Sequence, residues 1–280
     1  LWLLLGILSY ISYAICTSID KYLMDTKYDP LVTNTVKMFF DGLTVLVLGL
    51  LFFNLEFTSE LLYWSLPLGA LYALAGILYL KSLKSADAVT VIPFMQSFTI
   101  LTVFICSIFL FSLTASNYNY IGILLIVTGV YLVLSKDKLK IPKIDRTMFL
   151  VTCSVIILTT YILLVKAALY DINPVNLAVM MYFSSASILF GYTVFKNRQK
   201  QIFNKENLKI IPAGFFGGLG TLLLYAALSM GEVSKVYPIA GLQSAFVFII
   251  ATIFLKERFY RNRLLGTIIV FAGIYLTSVI

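Results

Sequence analysis

The chain has 280 residues, of which 60% are hydrophobic and 12% are charged, and its formal net charge is +8. An ordinary soluble domain has roughly 25% charged residues, so this composition excludes a soluble fold. Histidine is absent, which excludes His-ligated metal sites and histidine proton relays. Carboxylates, lysines and tyrosines are left for titratable chemistry.

Ten apolar stretches follow one another along the chain, and a helix needs about 20 such residues to cross a bilayer. They are solidly apolar, whereas a membrane β-barrel needs short segments of strict alternation. We therefore predict an all-α integral membrane protein with ten transmembrane helices, spans 1 to 10. Their predicted bounds are 2–24, 31–53, 61–83, 88–112, 118–135, 147–169, 174–195, 210–230, 233–255 and 262–280.

The second half of the chain repeats the first at an offset of 145 residues. We predict a first five-helix repeat at 1–135, a basic linker at 136–146 and a second five-helix repeat at 147–280. Because five is an odd number, the second repeat enters the membrane in the opposite sense, as in transporters with inverted repeats. The matches include Pro67-x-Gly69 with Pro212-x-Gly214, Pro93 with Pro238, and Lys21 with Lys166.

Basic residues crowd one side of the predicted bundle. Connections 1–2, 3–4, 5–6, 7–8 and 9–10 hold 17 Lys and Arg, whereas the others hold only Lys235. The positive-inside rule makes the crowded side cytoplasmic and places both termini outside. The positive charge thus reflects orientation in the membrane and not nucleic-acid binding. The opening stretch, Leu1–Leu23, is expected to be a span, since it is too long for a removable signal peptide.

Asp41 lies about ten residues into span 2, with Lys37 one helical turn earlier. Ionisable groups inside a span are costly and mark functional candidates. One interpretation is a substrate-facing or proton-linked carboxylate. The other is an internal ion pair with Lys37, because side chains four residues apart meet on a helix face.

Asp20 and Lys21 lie near the end of span 1. A lysine there can snorkel to the interface as an anchor. Its match in the second half, Lys166, instead suggests a paired role in gating or substrate contact. Asp20 can titrate during transport, as a coupling residue, or can simply neutralise Lys21.

Pro93 and Pro238 fall a few residues into spans 4 and 9, where a proline frees a backbone carbonyl and breaks or kinks a helix. We expect both to act as helix breaks in gating. Gln96 and Gln243 follow them closely. Their amides need partners, either in neighbouring helices or in a wet cavity, and we favour the cavity.

Several tyrosines lie deep in the spans, where each hydroxyl needs a hydrogen-bond partner. Some are therefore expected to line a cavity. The predicted substrate-binding residues are Tyr10, Lys21, Lys37, Asp41, Tyr79, Gln96, Lys166, Tyr182, Tyr225 and Gln243. The three cysteines, Cys16, Cys106 and Cys153, all lie inside spans, so no disulfide is expected.

Two five-span halves, each with a lysine late in its first span and a proline entering its fourth, resemble the EamA-like family of the drug/metabolite transporter superfamily. The stretch Phe254–Arg258, followed by Gly266 and Gly273, looks like the end of an EamA repeat, whereas the first half reads Phe111–Thr114 at that place. The resemblance implies a carrier of small metabolites, often an exporter.

We therefore expect a secondary transporter in the cell membrane that works by alternating access. Its substrate site would lie between the halves, lined by spans 1–4 and 6–9, with spans 5 and 10 at the periphery. The Walker-type sequence G-x-x-x-x-G-K is absent, so transport is expected to be facilitated or ion-coupled. No catalytic residue, cofactor or metal is expected.

The expected partners are a small-molecule substrate and the lipid bilayer, without nucleic acid, and a homodimer stays open. An amino acid suits a cavity with both charge signs, amides and aromatic faces. The alternatives are a broad drug or organic-cation exporter and, more remotely, an integral-membrane enzyme.

Overall fold

The computed structural model describes residues 1–110, 116–134, 146–254 and 261–278, and in these ranges the protein contains helices and no strands. Eight helices in this part of the chain are long and apolar enough to cross a membrane. The prediction of an all-α membrane protein is therefore confirmed. The helices are α1 (Trp2–Met24), α2 (Pro30–Phe52), α3 (Ser59–Ser85), α4 (Ala88–Leu110), α5 (Asn117–Leu134), α6 (Arg146–Ala168), α7 (Pro174–Phe195), α8 (Gln199–Ile202), α9 (Ile211–Met230), α10 (Val233–Val236), α11 (Gly241–Phe254) and α12 (Arg261–Ser278).

The eight membrane-length segments correspond to predicted spans 1–4 and 6–9. Spans 5 and 10 correspond to α5 and α12, which are helical but are not among the eight, so a total of ten membrane spans stays a prediction. Most of the predicted linker lies outside the described residues. So do Phe111–Thr114 and most of the stretch Phe254–Arg258.

Predicted span 9 is not one helix. It consists of the short α10, a 3₁₀ turn at Tyr237–Ala240 and then α11. Pro238 lies in this turn, where its missing N–H and its ring prevent a continuous helix. By contrast, α4 continues through Pro93. The expected helix break is therefore found at Pro238 and not at Pro93.

Close packing of α5 against α12 depends on glycines. A Cβ added to Gly122 would lie 2.7 Å from the carbonyl oxygen of Gly273, and one added to Gly129 would lie 2.7 Å from that of Gly266. Small residues let helices approach closely where lipid supplies no hydrophobic drive for association. These two helices therefore pair along their backbones.

Helices also pack across the two parts of the chain, α1 along α9 and α3 along α6. The Ser9 hydroxyl donates to the Gly220 carbonyl over 2.7 Å. The Ser154 hydroxyl donates to the Ala75 carbonyl over 3.3 Å. The two donors, Ser9 and Ser154, are 145 residues apart, and so are the two acceptors, Ala75 and Gly220.

At one end of the bundle, polar contacts that we call the Asp29–Arg198 latch connect two helix ends. One carboxylate oxygen of Asp29 accepts the first free amides of α2, and the other binds Arg198 over 2.5 Å. Beside it, the Tyr28 hydroxyl donates to the Glu206 carbonyl over 2.8 Å. The latch joins the residues before α2 to those that follow α7.

Candidate functional site

A central cavity of about 120 Å³ lies among α1, α2, α3, α4, α6, α9 and the segment around α11. Among the described residues α7 contributes none to its lining, contrary to the predicted participation of span 7. Six of the predicted site residues do line it. These are Tyr10, Asp20, Lys37, Tyr79, Gln96 and Gln243.

A buried ion pair between Asp20 and Lys37 marks one end of the cavity. The two residues are 0% and 7% exposed. The Tyr79 hydroxyl donates to the same carboxylate oxygen over 3.4 Å, and the lysine ammonium lies 5.9 Å from the centre of the Tyr79 ring. The sequence pattern suggested Lys37 with Asp41 and Asp20 with Lys21, and both pairings are wrong. Lys37 instead reaches across from α2 to α1.

The ion pair belongs to a longer chain of hydrogen bonds. Gln96 donates to the Gln243 side-chain oxygen over 2.6 Å, and Gln243 donates to the Thr17 hydroxyl oxygen over 2.9 Å. Thr17 also accepts from Tyr79 over 3.2 Å, which leads to Asp20. We call this series, from Gln96 to Lys37, the polar chain. It satisfies the two amides while they face the cavity.

Five tyrosines form an aromatic surface in the same cavity, here called the tyrosine wall. The Tyr10 ring centre lies 5.8 Å from that of Tyr13 and 6.5 Å from that of Tyr237. The ring centres of Tyr72 and Tyr161 are 4.9 Å apart. Aromatic faces accept apolar groups and attract cations. The cavity therefore combines charge and amides with an aromatic surface.

Tyr182 and Tyr225 lie behind the tyrosine wall and do not line the cavity. The Tyr182 hydroxyl bonds the Thr221 hydroxyl over 2.5 Å, and that of Tyr225 bonds Tyr161 over 2.5 Å. Thr221 also bonds Tyr13 over 2.6 Å. Both tyrosines therefore hold cavity residues in place.

Lys21 of α1 and Lys166 of α6 lie away from the cavity. Their ammonium groups contact the C-terminal ends of α3 and α9, respectively. The Lys21 ammonium binds the Asp25 carboxylate over 2.6 Å. Cations near the last carbonyls of a helix are stabilised by its dipole, so both lysines cap a helix. The carbonyls that they contact are those of Leu83 and Ala86 for Lys21 and those of Leu228 and Gly231 for Lys166, at 2.9–3.1 Å.

Asp41 lies in α2, fully buried against the glycine-rich face of α9. A Cβ added to Gly217 would overlap Asp41 Oδ1, and one added to Gly218 would overlap the Asp41 carbonyl. Neither carboxylate oxygen reaches hydrogen-bond geometry with any described residue, although the Gly218 amide is near enough to act on it electrostatically. Asp41 is therefore outside the cavity and is covered by α9.

The sequence interpretation missed Thr17 and Asn34, which both line the cavity. Each lies three residues before a recognised candidate, Asp20 and Lys37 respectively, and residues three apart share a helix face. That spacing could have revealed them. Tyr237 was also missed, because its position depends on the turn that interrupts span 9.

A bundle of membrane-length helices around a polar and aromatic cavity is typical of a multi-pass membrane protein of the transporter class. The sequence pattern of the EamA-like transporter family matches residues 1–135 and again 145–279. The chain therefore belongs to this family, which is part of the drug/metabolite transporter superfamily. The resemblance seen in the sequence is confirmed, and the fold is that of a small-molecule transporter.

A solved structure described as "Crystal structure of protein" superposes on this chain with a TM-score of 0.75 and 12% sequence identity, over 98% of this chain and 97% of that one. At this identity the likeness shows the fold alone. Comparison with curated proteins gave no match. Within the described ranges, no group of three or more His, Cys, Asp or Glu side chains is placed to hold a metal ion.

Proposed function

We propose that the protein is a secondary transporter of a small amphipathic metabolite, in the first place an amino acid, across the cell membrane. The polar chain facing the tyrosine wall in one cavity carries this proposal. Asp20 suits an ammonium group, the two glutamines suit a carboxylate, and the tyrosine wall suits an apolar or aromatic side chain. These groups match the chemistry of an amino acid.

Transport proceeds by alternating access between two inverted five-helix halves, with the basic connections in the cytoplasm. The bonds made by Ser9 and Ser154, and the caps made by Lys21 and Lys166, support this arrangement because each pair recurs at the 145-residue offset. The family pattern also matches the chain twice. A site between such halves faces each side of the membrane in turn.

Uptake of radiolabelled amino acids into proteoliposomes, with and without an imposed pH gradient, tests the proposal. We expect saturable uptake of neutral amino acids that is lost in Lys37→Met. The matched control is Glu60→Gln, an exposed carboxylate in the first turn of α3. Stimulation by the gradient would support coupling to protons through Asp20 or Asp41. No flux of any amino acid in the wild-type protein would contradict the proposed substrate class.

The second candidate function is export of organic cations, and the position of Asp41 favours it. Such an exporter needs a deep carboxylate without a fixed cation, and Lys37 is engaged by Asp20. Transport of tetraphenylphosphonium without transport of amino acids would select this function. Because Asp41 is covered by Gly217, the amino-acid carrier remains the better fit to the cavity in this conformation.

A further inference from the structure

Asp41 is held in an environment that does not suit a charge. It is fully buried, and both carboxylate oxygens lack a hydrogen-bond partner among the described residues. A buried carboxylate without a partner is costly as an anion and becomes neutral instead. A proton on Asp41 removes that cost.

Lys37 stands between two carboxylates. In this conformation its ammonium is paired with Asp20 of α1, yet it lies one turn before Asp41 on the same helix, where residues four apart can meet. Its electrostatic interaction includes both carboxylates. At this spacing, a change of the lysine rotamer can exchange one partner for the other.

Gly217 lies between Asp41 and the cavity. Gly217 lines the cavity and is also in contact with Asp41 Oδ1. Because α2 and α9 belong to different predicted halves, the proposed movement of one half against the other would uncover the carboxylate on the cavity side. Asp41 thus has a route for its proton that depends on the conformation of the transporter.

We propose that Lys37 is a two-position switch that links the arrival of a substrate cation at Asp20 to the release of a proton from Asp41. The inference rests on the proposed function only in that the substrate carries an ammonium or a similar cation. The substrate cation takes the place of Lys37 at Asp20. The displaced lysine moves to Asp41, which gives up its proton to cavity water and becomes the new counter-ion.

The charges balance in this exchange. One ammonium group enters the site and one proton leaves it, while Lys37 stays charged and each carboxylate ends with one cationic partner. The exchange is electroneutral for an organic cation and moves one net charge for a zwitterionic amino acid. On the opposite side of the membrane the steps reverse, so substrate and protons move in opposite directions. This is an antiport in which no other ion is needed.

Among the described residues, the other ionisable groups that interact electrostatically with Asp41 are Asp20 and Cys16 of α1, Tyr72 of α3 and Tyr182 of α7. On the α9 side, Asp41 meets the backbone of the glycines. Lys37 is the cation among these neighbours. The exchange therefore depends on how Lys37 is shared between the two aspartates.

Infrared difference spectroscopy of the purified protein in bilayers detects a protonated carboxyl group by its carbonyl-stretch band. This measurement tests the switch without any substrate. We expect this band in the wild type and its loss in Asp41→Asn. The decisive variant is Asp20→Asn, in which the band is also lost because Lys37 moves to Asp41. If Lys37 had only a structural role at Asp20, the band would remain in this variant.

Two further variants complete the test. In Lys37→Met neither aspartate has a cation, so the band should exceed that of the wild type, and this comparison decides the matter if Asp20→Asn does not fold. Glu60→Gln, an exposed carboxylate, should leave the band unchanged. A band that survives in Asp41→Asn, or that does not grow in Lys37→Met, would overturn the switch.

The link to substrate is tested with the neutral amino acid of highest uptake, or with tetraphenylphosphonium if no amino acid is transported. A saturating concentration of either probe should reduce the infrared band of the wild-type protein. An unchanged band would overturn the coupling between substrate binding and proton release. Failure of amino-acid transport with the infrared pattern intact would refute the proposed substrate but not the switch. If the wild-type protein transports an amino acid but the infrared band is retained in Asp20→Asn, the switch is refuted and the proposed function is not.

Discussion

Thr17 joins the two ends of the polar chain through a single hydroxyl oxygen. It accepts hydrogen bonds from both Gln243 and Tyr79, which uses the two lone pairs that a hydroxyl offers. Through these bonds a residue of α1 connects the glutamines of α4 and α11 to the ion pair. The cavity's polar lining therefore depends on one small side chain.

Replacing Thr17 by Val keeps the shape of the side chain but removes the shared acceptor. The buried Gln243 amide then loses its acceptor, whereas the Tyr79 hydroxyl can still donate to Asp20. We expect a loss of about 1–3 kcal/mol in the free energy of unfolding, with weaker substrate binding seen as a higher KM. Thermal unfolding in detergent and uptake in proteoliposomes measure the two effects. Thr160→Val is the matched control, because that exposed hydroxyl bonds only within its own helix. Equal effects of both variants would contradict the role of Thr17.

The glycines of α9 allow the approach of Asp41. A Cβ at Gly218 would overlap the Asp41 carbonyl, which belongs to the backbone and cannot turn aside. We expect Gly218→Ala to destabilise the protein by about 1–3 kcal/mol, as overpacking does. In Gly191→Ala the added Cβ meets nothing within 4 Å, so its melting temperature should stay near that of the wild type. A Gly218→Ala melting temperature no lower than that of Gly191→Ala would show that α2 and α9 are not in close contact.

At the scale of the helices, two lysines cap the C-terminal ends of two helices in the same way. Lys21 holds the last carbonyls of α3 and Lys166 those of α9. They differ in their other partners, since Lys21 also binds Asp25 whereas Lys166 lies 5.1 Å from the centre of the Tyr170 ring. The match in sequence therefore corresponds to a match in helix capping.

We expect Lys166→Met to lower the free energy of unfolding by about 0.3–1 kcal/mol, the usual contribution of a cation at a helix C-terminus, and to leave KM unchanged. Thermal unfolding and uptake kinetics measured on one preparation separate the two effects. The control is Lys200→Met, on an exposed residue of α8. A raised KM with unchanged stability would instead assign Lys166 to substrate contact.

At the scale of the whole molecule, the sequence was sufficient to predict where helices lie along the chain. It was not sufficient to predict which side chains from different helices contact one another. Hydropathy and length sufficed for the membrane class and for most helix bounds. Lys37 shows the limit, because Asp41 is its neighbour along the helix whereas Asp20 becomes its partner only through the packing of α1 and α2 against α3 and α9. Pro93 and Pro238 match in sequence, yet the helix is interrupted only where the turn at Tyr237–Ala240 also forms.

The proposed inverted arrangement predicts that corresponding connections lie on opposite sides of the membrane. In a variant without Cys16, Cys106 and Cys153, single cysteines at Lys27 and Asp171 should react with a membrane-impermeant maleimide from opposite sides. Both positions are exposed. Labelling of intact cells and of inside-out vesicles measures this, with the cysteine-free protein as the blank. Reaction of both positions from one side would contradict the inverted repeat.

The Asp29–Arg198 latch has a consequence for the carrier's surroundings. The residue before Pro174 that corresponds to Asp29 is Asn173, which caps α7 in the same way but carries no charge. The side chains of Arg198 and Asp29 are 43% and 30% exposed, so dissolved ions screen their attraction, over a Debye length of about 8 Å at physiological ionic strength. Salt therefore weakens the Asp29–Arg198 ion pair and leaves the uncharged cap at Asn173 unaffected. We expect the ionic strength of the compartment that bathes this end of the bundle to shift the conformational equilibrium of the carrier.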